Sequence, residues 1–117
     1  MTLRLVREGA IARLLIDRAD KRNAMNQAMW LQVPLLLAEA EADPAVRVIV
    51  LQSATGGMFC AGADIGELMT YRESADWLGA NQAAINAAQY ALTRAVVPTL
   101  AFIDGDCVGG GCGLALP

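Results

Sequence analysis

The chain closes on CVGGGCGLALP, residues 107–117, and the three consecutive glycines, Gly109, Gly110 and Gly111, decide how the rest is read. Glycine admits close backbone approach and angles closed to other residues, and the first amides of a helix have no intrahelical acceptor. Three glycines ahead of a helix therefore expose donors to an anion, although alone they serve equally for tight packing of a strand, a turn and a helix. Two phosphate-binding patterns can be checked directly. The pattern GxxxxGK[ST], read from Gly105, reaches Gly110 and then Gly111 where lysine belongs. The pattern GxGxxG, read from Gly109, finds Leu114 in place of its last glycine. Neither is present.

A second glycine loop gives the first one more weight. In MFCAGADIGEL, residues 58–68, small residues and Gly62 stand just before Asp64, which has Glu67 three positions on. That is capping-box spacing, with Asp64 as N-cap of a short helix from Ile65. Two sets of amides at helix starts, if opposed, form an oxyanion hole, which stabilises charge developing on a carbonyl oxygen.

The frame between the loops alternates strand and helix. Residues 3–6 and 10–16 are short, β-prone and separated by Glu8 and Gly9, which predicts a hairpin. The polar stretch DRADKRNAMN, residues 17–26, ends on Asn26, an N-cap for an apolar-periodic helix running to about Ala42. Pro34 lies inside that helix, which predicts a kink there or a late helix start. Residues 46–54 read as a buried strand, and residues 74–95 as a helix whose Ala83, Ala84, Ala87, Ala88 and Ala91 allow close approach of a neighbour. A strand follows Pro98, then a turn at Gly105, then the glycine run with barely a turn or two of helix before Pro117. The order is that of α/β architectures, and the chain reads as ending inside an element of a larger domain.

Composition narrows the function. Nine Lys and Arg against twelve Asp and Glu give a net charge of −3 without a basic cluster, which argues against nucleic acid. No apolar window spans a bilayer and no h-region follows Arg4 and Arg7, so no membrane association and a cytoplasmic location are expected. Three cysteines, an odd number, fit a reducing compartment, and Cys60, Cys107 and Cys112 read as small core residues. With no histidine, Ser-His-Asp and Cys-His pairs are excluded within this sequence, and too few soft ligands remain for a metal site. The apolar fraction of 56% against 18% charged predicts apolar surface that meets another subunit or further parts of the same domain.

The motifs RADKRNAMN, FCAGADIGEL and VGGGCGLAL, in this order and at these separations, resemble those of the enoyl-CoA hydratase/isomerase, or crotonase, family. The resemblance covers essentially the whole chain. It implies an α/β fold of the crotonase-like ββα spiral type, with residues 1–117 as the N-terminal part of a single domain, incomplete at the C-terminus. It also implies a coenzyme A thioester as substrate, with no cofactor beyond that coenzyme. Two backbone amides would hold the thioester carbonyl, those of Ala63 and Gly110. Arg22 and Ala24 would meet the nucleotide end of the coenzyme, and Ala61, Asp64 and Ile65 would line its path. Without the resemblance, Arg22 reads as a solvated loop charge and Asp64 as the helix cap.

One position departs from the family pattern. Members that add water across a conjugated double bond share the work between two glutamates, and the first falls here on Gly113, a residue of the same acyl-CoA pocket with no proton to give. The second would lie beyond residue 117. The resemblance therefore implies isomerase-type or other acyl-CoA chemistry supported by a downstream carboxylate, and a homo-oligomer, trimer or hexamer, at full length. If the chain ends at Pro117 it should be catalytically silent. The competing expectation is a noncatalytic remnant that associates with full-length relatives.

Overall fold

The computed structural model describes residues 2–116. Its first element pair is the predicted hairpin, β1 (Leu3–Glu8) and β2 (Ile11–Ile16), antiparallel with Leu3 opposite Ile16. A short 3₁₀ turn (Ala19–Lys21) leads to helix α1 (Gln27–Glu41), and β3 (Val48–Ser53) then pairs parallel to β2. After β4 (Met58–Cys60) come helices α2 (Ile65–Tyr71) and α3 (Ala75–Thr93). Strand β5 (Thr99–Phe102), strand β6 (Asp106–Cys107) and helix α4 (Gly110–Ala115) complete the described chain, with Pro117 outside it.

The main sheet has the order β1-β2-β3-β5, and a second sheet of two strands pairs β4 parallel to β6. Alternation explains the inner face of the first: Ala12, Leu14 and Ile16 of β2 and Ile49 and Leu51 of β3 are buried, one residue in two. They share one apolar cluster with Met29, Trp30, Val33, Leu37 and Ala40 of α1 and with Ala84, Ala88 and Leu92 of α3. Each large side chain so buried contributes about 1.5–3 kcal/mol.

That cluster decides the fate of Pro34. Helix α1 runs unbroken from Gln27 through Pro34, so the late start is not observed. Asn26 caps it as expected, its side chain accepting from the Met29 amide. Proline removes one amide donor from the helix, but the buried apolar face on both sides of it, from Met29 to Ala40, holds the helix in place. On α3 the alanine stripe divides: Ala84 and Ala88 are buried against the core, whereas Ala83 and Ala87 face solvent.

The strands β4 and β6 replace what reads in sequence as glycine loop and turn. Their pairing places Cys60 opposite Cys107 and so sets the two glycine loops side by side. On β5, Leu100 and Phe102 remain 58% and 60% exposed, apolar surface of the kind that the composition predicts.

Candidate functional site

The site is assembled by the segment between β2 and α1. Arg22 and Asn23 both have left-handed backbones, with φ of 54° and 58°. Such angles are disfavoured for residues with a Cβ, and Asn tolerates them best. The buried Asn23 side chain holds the turn. Its Oδ1 accepts from the Arg18 amide at 2.9 Å, and its Nδ2 reaches Ser53 Oγ at 2.7 Å and the Met58 and Phe59 carbonyls at 3.1 Å each. One carboxamide therefore joins the 18–23 turn to the end of β3 and to β4.

The segment so fixed docks along the first glycine loop. The Ala61 amide donates to the Arg22 carbonyl (3.1 Å), the Met25 amide to the Gly62 carbonyl (2.7 Å), and the Asp64 amide to the Met25 carbonyl (3.1 Å). This is a parallel bridge between Met25 and Ala63, in which Met25 bonds only to the neighbours of Ala63. The amide of Ala63 itself therefore points away from Met25, and it has no hydrogen-bond acceptor among the described residues.

The Ala63 nitrogen lies beside the second glycine loop. A Cβ built on Gly110 would lie 3.8 Å from the Ala63 nitrogen and 3.7 Å from the Gly62 Cα. Gly110 opens α4, and its amide also has no acceptor among the described residues, while the next three amides bond to Val108 and Gly109. Close packing between the loops demands glycine at two positions. Gly62 has φ of 103°, and a Cβ there would stand 3.1 Å from the Val108 carbonyl oxygen. A Cβ on Gly111 would meet the Cys60 carbonyl oxygen at 2.6 Å, a backbone clash. The two amides singled out in the sequence thus lie near each other, each without an acceptor among the described residues.

A cleft of about 300 Å³ lies beside them, lined by Lys21, Arg22, Ala24, Ala61, Ala63, Asp64, Ile65 and Gly66. Six of the eight sequence-predicted residues border it; Gly110 and Gly113 lie outside its lining. Arg22 and Lys21 put exposed cationic side chains at its rim.

Asp64 is committed to structure. Its Oδ1 accepts from the Glu67 amide at 3.1 Å and its Oδ2 from Arg18 Nη2 at 2.9 Å. The capping box closes on one side only: Glu67 Oε1 accepts from the Gln27 amide at 2.8 Å, tying α2 to the start of α1 instead of returning to the Asp64 amide. The bond from the Glu67 amide, and then Arg18, hold the Asp64 carboxyl below its ordinary value. A carboxyl with a lowered native pKa contributes stability above its unfolded pKa of about 3.9, and that stability is lost as pH falls through the native value. Asp64→Asn keeps a competent cap but loses the ion pair, so it should cost about 1 kcal/mol at neutral pH. Urea midpoints of the two proteins, followed downward in pH, should converge below about pH 4; a constant gap would show that ionisation is not the source.

Gly113 lies where a Cβ would meet Gln89 Nε2 at 2.6 Å, so the α3 side chain fills the space a side chain at 113 would enter. The cysteines divide rather than all joining the core: Cys60 is buried, Cys107 half-buried and Cys112 exposed. Sequence reading overlooked Asn23, Arg18 and Gln89. For Asn23 the available signal was an asparagine inside a charged loop, a residue suited to left-handed turns.

Comparison with known proteins supplies what geometry alone does not. Residues 6–117 match the enoyl-CoA hydratase/isomerase family. The chain is 34% identical over 106 residues to the mitochondrial enoyl-CoA hydratase domain-containing protein 2 of Bos taurus, covering 91% of this chain and 35% of the relative. It is 34% identical over 101 residues to the mitochondrial methylglutaconyl-CoA hydratase of Mus musculus, covering 86% of this chain and 32% of the relative. In structure it is similar to an enoyl-CoA hydratase/isomerase family protein from Hyphomonas neptunium, with TM-score 0.94, 36% identity, and coverage of 98% of this chain and 44% of that one. The expected crotonase-type α/β fold is therefore present, over roughly a third to under half of the length of these proteins. Among the described residues no helix is long and apolar enough to cross a membrane, and the mitochondrial names of these relatives lend no support to a cytoplasmic location.

Proposed function

The chain belongs to the enoyl-CoA hydratase/isomerase family, and from that premise we propose that it binds an acyl-CoA thioester and stabilises an enolate formed from it. The observation that supports this reading is the proximity of the Ala63 and Gly110 backbone nitrogens, neither of which has an acceptor among the described residues, beside a cleft with a cationic rim. A thioester carbonyl between the two donors gains negative charge as the α-carbon loses a proton, and preorganised amides favour that charge without reorganising. Ala24, Ala61 and Ile65 offer the coenzyme a small-residue and apolar path, Asp64 and Gly66 close its side, and Arg22 attracts its phosphates.

Gly113 sets the reaction class. No carboxyl stands there, so the two-glutamate addition of water is not the reaction proposed. Proton movement at the α-carbon needs one base, supplied from outside these residues. The reading requires no cofactor apart from the coenzyme carried by the substrate, and it includes assembly as a trimer or hexamer.

The test is exchange of α-hydrogens for deuterium in a panel of acyl-CoA thioesters, followed by mass spectrometry with the protein at the length its source produces. Exchange above the buffer rate is expected. Binding without exchange would reduce the protein to an acyl-CoA carrier. Absence of both, together with co-purification of a longer relative, would replace this reading with that of a noncatalytic partner.

A further inference from the structure

The second glycine loop is bracketed by two thiols. Cys107 ends β6 and Cys112 is the third residue of α4, and their sulfurs lie 3.8 Å apart, with Cys112 Sγ also 3.1 Å from the Cys107 carbonyl oxygen. A disulfide needs the sulfurs at about 2 Å. The approach is short, and three of the four intervening residues are glycines, which yield without side-chain clashes. The third cysteine stands apart in access: Cys60 faces Cys107 across the small sheet but is fully buried, and burial pushes its thiol pKa up.

We propose that Cys107 and Cys112 are a reversible dithiol, oxidised across the glycine loop by thiol–disulfide exchange with a low-molecular-weight disulfide such as oxidised glutathione. The exposed Cys112 loses its proton to solvent and attacks one sulfur of the small disulfide. Its S–S bond breaks, and one thiol equivalent leaves with a proton. The Cys107 thiolate then attacks Cys112 Sγ and releases the second equivalent. Two protein thiols are oxidised, one small disulfide is reduced to two thiols, and no other reactant is needed. In the reduced pair, burial and the adjoining Cys112 thiol push Cys107 up to about 11; the burial persists in the mixed disulfide and keeps small the thiolate fraction on which the second step depends.

The sulfur geometry stands independently of the acyl-CoA reading. The link between them is that Gly110 lies inside the ring the disulfide would close. The experiment is incubation of the full-length natural protein in glutathione redox buffers, followed by alkylation of free thiols, digestion and mass spectrometry. The expected oxidised species has lost two thiols among Cys60, Cys107 and Cys112, carries a Cys107–Cys112 link, and returns to the reduced form with dithiothreitol. Cys107→Ser should instead accumulate glutathione on Cys112. The proposal is overturned if the wild-type protein stays reduced, if it stops at a mixed disulfide on Cys112, or if the link runs to Cys60. Because the wild-type measurement is decisive, a variant that fails to fold leaves the outcome readable.

Discussion

Replacing Gly110 by proline is expected to lower kcat/KM for the proposed acyl-CoA reaction by about 10²–10³-fold, the usual consequence of losing one oxyanion donor. The substitution replaces the N–H by the ring Cδ, and the helix start should tolerate it. Gly110 is the first residue of α4, where the amide has no intrahelical partner and proline is favoured. The Cβ that any substitution adds meets only ordinary contacts, the nearest being Trp30 Cζ2 at 3.5 Å. Gly110→Ala is the matching control. It adds the same Cβ, keeps the amide and should retain most of the rate. Loss in both variants would assign the defect to space rather than to the donor, and turnover that survives in a folded Gly110→Pro protein would end the oxyanion assignment. A pure binding defect would raise KM alone, whereas a donor engaged chiefly by the enolate should lower kcat.

The two loops that place this amide were legible in sequence to different depths. Asn26 and Asp64 revealed their helices because capping is local chemistry, decided within three residues. Strand β2 showed itself through a β-prone run beside the Glu8-Gly9 turn, and β3 through its apolar run. The small sheet did not, because β4 and β6 have three and two residues, too few for a period to register. What brings the loops together is pairing between residues some 47 positions apart, Cys60 with Cys107, and such pairing leaves no local signature. Of the two outcomes that Pro34 predicted, the late helix start gave way to the buried face of α1. Glu67 completed half of its capping box and spent its carboxylate on α1, a choice available only once the α1 start had been brought alongside. The separations between motifs revealed the family, whereas the direction of the Ala63 amide depends on the Met25 bridge, visible only in three dimensions.

Asn23→Ala is expected to cost about 3 kcal/mol of stability, at the upper end for a polar substitution because it strips a buried junction. Removing the carboxamide leaves the Arg18 amide and the Met58 and Phe59 carbonyls without this partner in a region closed to water. Each buried group left unsatisfied costs about 1–3 kcal/mol, offset in part where relaxation admits water. A further share comes from the backbone, since alanine at φ of 58° lacks asparagine's tolerance of that region. Asn23→Gly separates the two: it keeps the left-handed angle without strain, so its deficit relative to wild type measures mostly the lost hydrogen bonds. Asn23→Asp is the sharper comparison, because it preserves shape and the acceptor for Arg18 but turns an oxygen toward the Met58 and Phe59 carbonyl oxygens, with only the Ser53 hydroxyl able to donate to it. It should be worse than alanine at neutral pH. Urea denaturation of the four proteins would order them wild type, Gly, Ala, Asp, and a deficit below about 1 kcal/mol for alanine would mean that the carboxamide does not hold the turn. The order also bears on the site. Asn23 fixes the segment whose Arg22 and Met25 backbone groups carry the 61–64 loop, so a folded but loosened variant should lose alignment of the Ala63 amide. Its kcat should then fall further than its acyl-CoA affinity, since alignment matters most to the charge that develops during reaction.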